Sequence, residues 1–228
     1  MQKYLLYAAV AVAAYLLGAI PFGFIVARSR GVDIRTVGSK NIGATNVFRS
    51  VGKPWGILTF ILDLAKGFAG AALVPWLVTR FFGPDGASVA PQLKLLGGIA
   101  AVIGHTWPVF LGFKGGKGVA TSAGMLLAVA PAAVGIAFAS WVVVMLLSRY
   151  VSLSSIAAAA VLGVLVWFPQ FCDYRLSTYI LTALALVVII RHHTNIGRLF
   201  KGTESRFSFT KKQKEHELAR RAAMEVKK

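Results

Sequence analysis

VATSAGMLLAVAPAAVGIAFASWVVVMLL, residues 119–147, holds no charged side chain and one proline near its middle. A helix needs about 20 apolar residues to cross a hydrocarbon core of about 30 Å, so this run reads as one long tilted helix or as two short helices meeting near Pro131. The choice sets the parity of every later crossing. From Arg191 onward there are eleven Lys and Arg against four Glu, and an excess of cations marks the cytosolic side. The polar stretch 28–54 is cytosolic by the same rule, since Arg28, Arg30, Arg35, Lys40, Arg49 and Lys53 face only Asp33. One crossing at 119–147 would leave the tail outside, and two return it to the cytosol. Each half is then about 20 to 24 Å long at the helical rise, short for a bilayer, which implies thinning or snorkelling.

Working outward, the remaining apolar stretches are 4–27, 55–78, 93–111, 153–168 and 177–190. The expected fold is all-α: a polytopic membrane protein of about seven transmembrane helices, several of them short, with its N-terminus outside and its C-terminus cytosolic. Composition agrees, for 57% of the 228 residues are hydrophobic, 14% are charged and the mean hydropathy is +0.68. A β-barrel would show period-two alternation, which is missing. The first stretch ends in Arg28 with no small-residue cleavage site, so it reads as a retained helix. Gly83, Pro84, Asp85 and Gly86 read as a turn. Small residues such as Ala69 to Ala72 and Ala157 to Ala160 permit close helix packing in lipid.

The net charge of +17 does not indicate nucleic acid, because no such binding pattern is present and the cations sit between spans. Positive-inside topology and anionic substrates or lipids account for it. The expected organisation is one integral-membrane domain over 1–207 and a basic cytosolic extension over 208–228, the latter suited to a membrane-lipid surface. Cys172, the one cysteine, cannot form an internal disulfide and stands at no metal-ligand spacing. A monomer is the working expectation.

Three polar clusters fall on the same expected side, each against the end of an apolar span. In the first, 38–49, backbone N–H groups at Gly38 and Gly43 could surround an anion. Asn41, Thr45 and Asn46 add amides and a hydroxyl, and Arg49 adds a bidentate phosphate donor. The same Ser and Asn residues could equally cap turns. In the second, Gly115, Gly116 and Gly118 would let the backbone approach phosphate while Lys114 and Lys117 supply charge. It is not a Walker motif: three residues separate Gly112 from Gly116, and Gly118 stands where a magnesium-binding hydroxyl belongs. The glycines could instead form a sharp turn between short helices. The third is 191–195, with His192 and His193.

His105 and His192 are candidate protonic groups, and only one of the adjacent His192 and His193 is expected in a site. Asp63 and Lys66, three apart within the second span, are expected to pair, because unpaired charges there are costly.

GSKNIGATN at 38–46, GHTWPVFLGFKGGKGVAT at 104–121, and RHHTNI at 191–196 with Gly202 and Glu204 resemble the three signature motifs of the acyl-phosphate-dependent glycerol-3-phosphate acyltransferases. The resemblance runs from the first span to about Phe207. It implies transfer of a fatty acyl group from acyl phosphate to the sn-1 hydroxyl of glycerol 3-phosphate, at the cytosolic side of a bacterial inner membrane, with no metal and no cofactor. Carried over by position, Ser39, Lys117, His192 and Asn195 would be catalytic. Asn41, Gly43, Thr45, Asn46, Arg49, Lys114, Gly115, Gly116 and Gly118 would bind substrate phosphate. His105, Ser154, Asp63 and Lys66 would support the site, and Glu204 would hold architecture. The His-x-x-x-x-Asp dyad of common lipid acyltransferases is missing, as Phe110, Gly197 and Arg198 occupy the fifth positions after His105, His192 and His193. A transporter of an organic phosphate is the rival reading, and a membrane scaffold ranks third.

Overall fold

The computed structural model describes residues 2–82, 90–172 and 175–208; the turn at 83–86 and the basic extension from 209 onward lie outside them. Among the described residues all regular structure is helical, in two compact units, Met1–Pro131 and Ala132–Lys228.

In the first unit, α1 (Gln2–Ala19) and α2 (Phe22–Arg28) share one apolar stretch broken at Ile20 and Pro21. Proline has no N–H to continue the ladder, so the break falls where the sequence dictates. A polar loop leads to α3 (Ala44–Ser50), then to α4 (Lys53–Ala71), which starts with Pro54 in its first turn. The expected second span bends its register at Ala72 and resumes as α5 (Leu73–Phe82). The third is α6 (Ala90–Thr106) followed by a 3₁₀ turn, Val109–Leu111, and α7 (Val119–Val129) closes the unit.

The run that set the parity is indeed two helices. Ala130 leaves helical geometry at φ −144° and ψ 63°, and Pro131 opens α8 (Pro131–Ser148). The split is uneven, at 11 and 18 residues. The second unit continues with α9 (Val151–Leu165), α10 (Arg175–Ile190) and α11 (His193–Phe200). The last two meet at a 50° bend.

The stretches 4–28, 53–81, 91–111 and 131–148 are each long and apolar enough to cross a membrane, and the bent pair α10–α11 is a fifth candidate. α7 and α9 are apolar but shorter. Large apolar side chains such as Ile61, Phe138 and Leu147 stay exposed on helix faces, as expected where lipid rather than water is the solvent.

Close packing explains the small residues. α1 crosses α6 and α4 crosses α7 at points where backbones touch. A β-carbon on Gly18 would strike the Ala101 backbone, one on Gly104 the Tyr15 carbonyl, and ones on Gly67 and Gly124 the carbonyls of Thr121 and Leu64. Between lipid-solvated helices such approach supplies the dispersion that holds them together. Gly18→Leu is therefore expected to destabilise the protein by at least about 1–3 kcal/mol, the usual overpacking cost. Gly135→Leu on α8, with nothing within 4 Å of its added β-carbon, should leave the thermal midpoint in detergent nearly unchanged.

Candidate active site

The first polar loop is organised by its own side chains. The carboxamide nitrogen of buried Asn46 reaches the carbonyls of Ile34 (3.1 Å), Val37 (3.1 Å) and Asn41 (2.9 Å). Its oxygen accepts from the Ser39 N–H at 3.0 Å and the Ser50 hydroxyl at 3.3 Å. Asn41 accepts the Gly43 N–H at 2.8 Å. The Gly43 N–H and the Asn46 carboxamide are thus used within the loop itself, whereas Asn41 enters these contacts only as an acceptor. Gly38 sits at φ 59°, where a β-carbon would also meet Asn46, so glycine is required by both conformation and space.

Two of the loop's cations are also occupied. Arg30 lies over Trp55 at 4.8 Å and Arg35 over Phe24 at 4.6 Å. Hydrogen bonds from Arg35 hold the Asp33 carboxyl at about 2. Lys66 is drawn inward from α4. Ser39 and Arg49 are exposed, on this loop and on the last turn of α3, and Thr45 lies half-buried in the first turn of that helix.

The second loop is folded against the end of α6. The N–H of Gly116 donates to the His105 carbonyl at 3.1 Å, and that of Gly115 to the Thr106 carbonyl at 3.2 Å. The two amides expected to cradle an anion are thus turned onto the protein, and the glycines serve close packing. Lys114 is exposed and Lys117 half-buried. Gly118, at φ 80°, is the residue before α7 and gives it no side-chain cap. Just beyond it, Thr121 and Ser122 are buried with hydroxyls that have no hydrogen-bond partner among the described residues. Position alone gave no reason to single them out, since a hydroxyl in the first turn of an apolar helix usually bonds its own backbone.

Asp63 and Lys66 pair at 2.9 Å inside this unit, and His105 Nδ1 stands 3.5 Å from the same carboxylate oxygen.

In the second unit His192 is buried while His193 is exposed. His192 Nδ1 lies 2.7 Å from the Val188 carbonyl. A carbonyl only accepts, so Nδ1 carries the proton and Nε2 of the neutral ring is the basic nitrogen. Asn195 and Ser152 both donate to Glu204 Oε1 at 2.7 Å, and Arg198 Nε donates to Oε2 at 2.7 Å. Glu204 therefore ties the chain after α11 to both α9 and α11 and orients Asn195. Ser152 was not singled out in the sequence, for its partner lies 52 residues away. Ser154 is fully buried and donates to the Tyr150 carbonyl. Farther along, Arg206 donates to the Tyr150 hydroxyl and the Phe207 N–H to the Arg149 carbonyl.

Apolar helices of membrane-crossing length, joined by loops rich in cations and amides, define a polytopic membrane protein equipped for anionic ligands. Comparison makes this specific. Residues 8–202 match the family model described as glycerol-3-phosphate acyltransferase, and the chain belongs to that family. It is 45% identical to the glycerol-3-phosphate acyltransferase of Desulforudis audaxviator, over 86% of this chain and 93% of that one. It is 42% identical to that of Aquifex aeolicus, over 85% and 95%. Among solved structures it is similar to PlsY (YgiH), an integral membrane glycerol 3-phosphate acyltransferase. The glycerol 3-phosphate form has a TM-score of 0.78 at 38% identity, covering 89% of this chain and 96% of that one. The lysophosphatidic acid form has 0.75 at 37%, covering 89% and 95%.

Burial works against charge on Glu204, but the hydrogen bonds from Arg198, Ser152 and Asn195 outweigh it and hold the carboxyl below its ordinary 4.5. A depressed native value adds stability that is complete above the ordinary value and lost as pH falls through the native one. Glu204→Gln is expected to destabilise the protein at neutral pH by about 1–3 kcal/mol, a charged acceptor's share. It should also flatten the loss of thermal midpoint expected of wild type as an acid titration passes below pH 4.5.

Proposed function

We propose that this chain transfers a fatty acyl group from acyl phosphate to the sn-1 hydroxyl of glycerol 3-phosphate, giving 1-acyl-glycerol 3-phosphate and inorganic phosphate. The observation that carries it is membership of the glycerol-3-phosphate acyltransferase family across residues 8–202, with relatives of 45% identity that it covers almost end to end. The two PlsY forms add glycerol 3-phosphate and lysophosphatidic acid as ligands of a similar protein. Acyl phosphate as donor rests on the sequence motifs.

In this reading the acyltransferase domain occupies 1–207, and seven crossings place the three clusters and the C-terminus in the cytosol, with the N-terminus outside. The extension 208–228 lies at the lipid surface, and the protein acts as a monomer. Ser39, Arg49, Thr45, Lys114, Lys117 and the residues about Gly118 face phosphate, while His192 and Asn195 serve the reacting carbonyl. The hydroxyl oxygen attacks the acyl carbon, the bond from that carbon to the phosphate oxygen breaks, and phosphate leaves. The hydroxyl proton passes to a phosphate oxygen of the substrate. Acyl phosphate is already activated, so positioning and oxyanion stabilisation supply most of the rate. The Nε2 of His192 is the competing base.

A carrier of organic phosphate is separated by one assay. Purified protein in detergent is expected to release phosphate from acyl phosphate only when glycerol 3-phosphate is present; release without it, or none with it, contradicts acyl transfer. Arg49→Lys should lower kcat/KM by about tenfold or more in folded protein, because an ammonium cannot reproduce two parallel donors.

A further inference from the structure

We propose that His105, oriented by the Asp63–Lys66 pair, is a positioning residue that sets the loop 114–118 for the phosphate-bearing substrate it holds. The proposal rests on the acyltransferase reading through Lys117 of that loop. Its basis is a chain of contacts from the break in the first span to the loop. Lys66 Nζ donates to the Ile20 carbonyl at 2.8 Å, at the interruption between α1 and α2, and lies 5.5 Å from the Phe22 ring. One turn earlier on α4, Asp63 pairs with Lys66, and the same oxygen faces His105 Nδ1. All three residues are at least 95% buried. The opposite edge of the imidazole abuts Gly116, where an added β-carbon would run into Nε2, Cε1 and Cδ2. The carbonyl of His105 meanwhile accepts the Gly116 N–H. His105 therefore fixes Gly116 twice, by backbone and by ring, immediately before Lys117.

Stability does not explain why charges are kept here. A buried ion pair is often replaced by apolar residues without loss, and an apolar residue at 105 would still offer its carbonyl to Gly116. What it would lack is a planar ring whose rotation a carboxylate can set. His105 Nδ1 stands 3.5 Å from the Asp63 carboxylate, within ion-pair range, and the Nε2 edge of the ring lies against Gly116 of the loop. The role assigned to His105 is geometric, and it makes no contact with reacting atoms.

The experiment varies each substrate separately with full-length protein in detergent. Lys117→Ala is expected to raise the KM of one phosphate-bearing substrate. His105→Ala and Asp63→Asn should raise the KM of that same substrate, His105→Ala by about tenfold, while the other KM changes by less than about twofold. His105→Asn, which returns a donor near the Nδ1 position, should restore the KM to within about threefold of wild type. A role in folding alone would lower the thermal midpoint or the active fraction and leave both KM values unchanged, and that result overturns the proposal. So does an equal rise in both KM values, or a His105→Asn variant no better than His105→Ala. If His105→Ala does not fold, Gly116→Ala, which pushes the loop off the ring, carries the same expectation and the same refutation. An inactive wild type would overturn the acyltransferase reading itself, an outcome distinct from an active wild type whose His105 variants keep their KM.

Discussion

Hydrocarbon tolerates no unpaired polar group, and that constraint decides where nearly everything else in this chain goes. Helices satisfy the backbone, so the described regular structure is helical. Side-chain charges that fall within a span are neutralised on the spot, as Asp63 is by Lys66. The remaining cations are pushed into loops at the span ends, the one place where water, headgroups and phosphate esters can meet them. Chemistry on a polar substrate with an apolar tail is then confined to these rims, where one end of the substrate is wet and the other dissolves in the bilayer.

The two buried carboxylates show how the constraint also shapes the loops. Asp63 sits inside α4 and works through residues of α6, whereas Glu204 lies beyond α11 and gathers Ser152, Asn195 and Arg198. Each is paired with a cation, Asp63 with Lys66 and Glu204 with Arg198. Among the described residues, the buried carboxylates are thus held in ion pairs.

How much of this could be read from the sequence depended on the range of the interaction involved. The break at Pro131 was legible because a proline acts on its immediate neighbours, and the pairing of Asp63 with Lys66 because three residues make one helical turn. The family was legible because long motifs leave few alternatives. The fate of Asn46 was not. A carboxamide in a glycine-rich loop can serve an anion or the loop itself, and the choice depends on the Ile34 and Val37 carbonyls brought near by folding. The same holds for Gly115 and Gly116, whose amides look available in a linear reading and are turned toward the end of α6. The uneven division of 119–147 follows from the same proline, which stands nearer the start of the run than its end.

The pairing of Asp63 and Lys66 on one helix also bears on how the protein is made. Partners on different helices would have to enter the bilayer singly, each as a bare ion awaiting the other. Two opposite charges one turn apart leave the ribosome almost together and can close on each other within their own segment, so the insertion machinery receives a dipole instead of two ions. The Ile20 carbonyl that completes the Lys66 contacts belongs to a segment synthesised earlier.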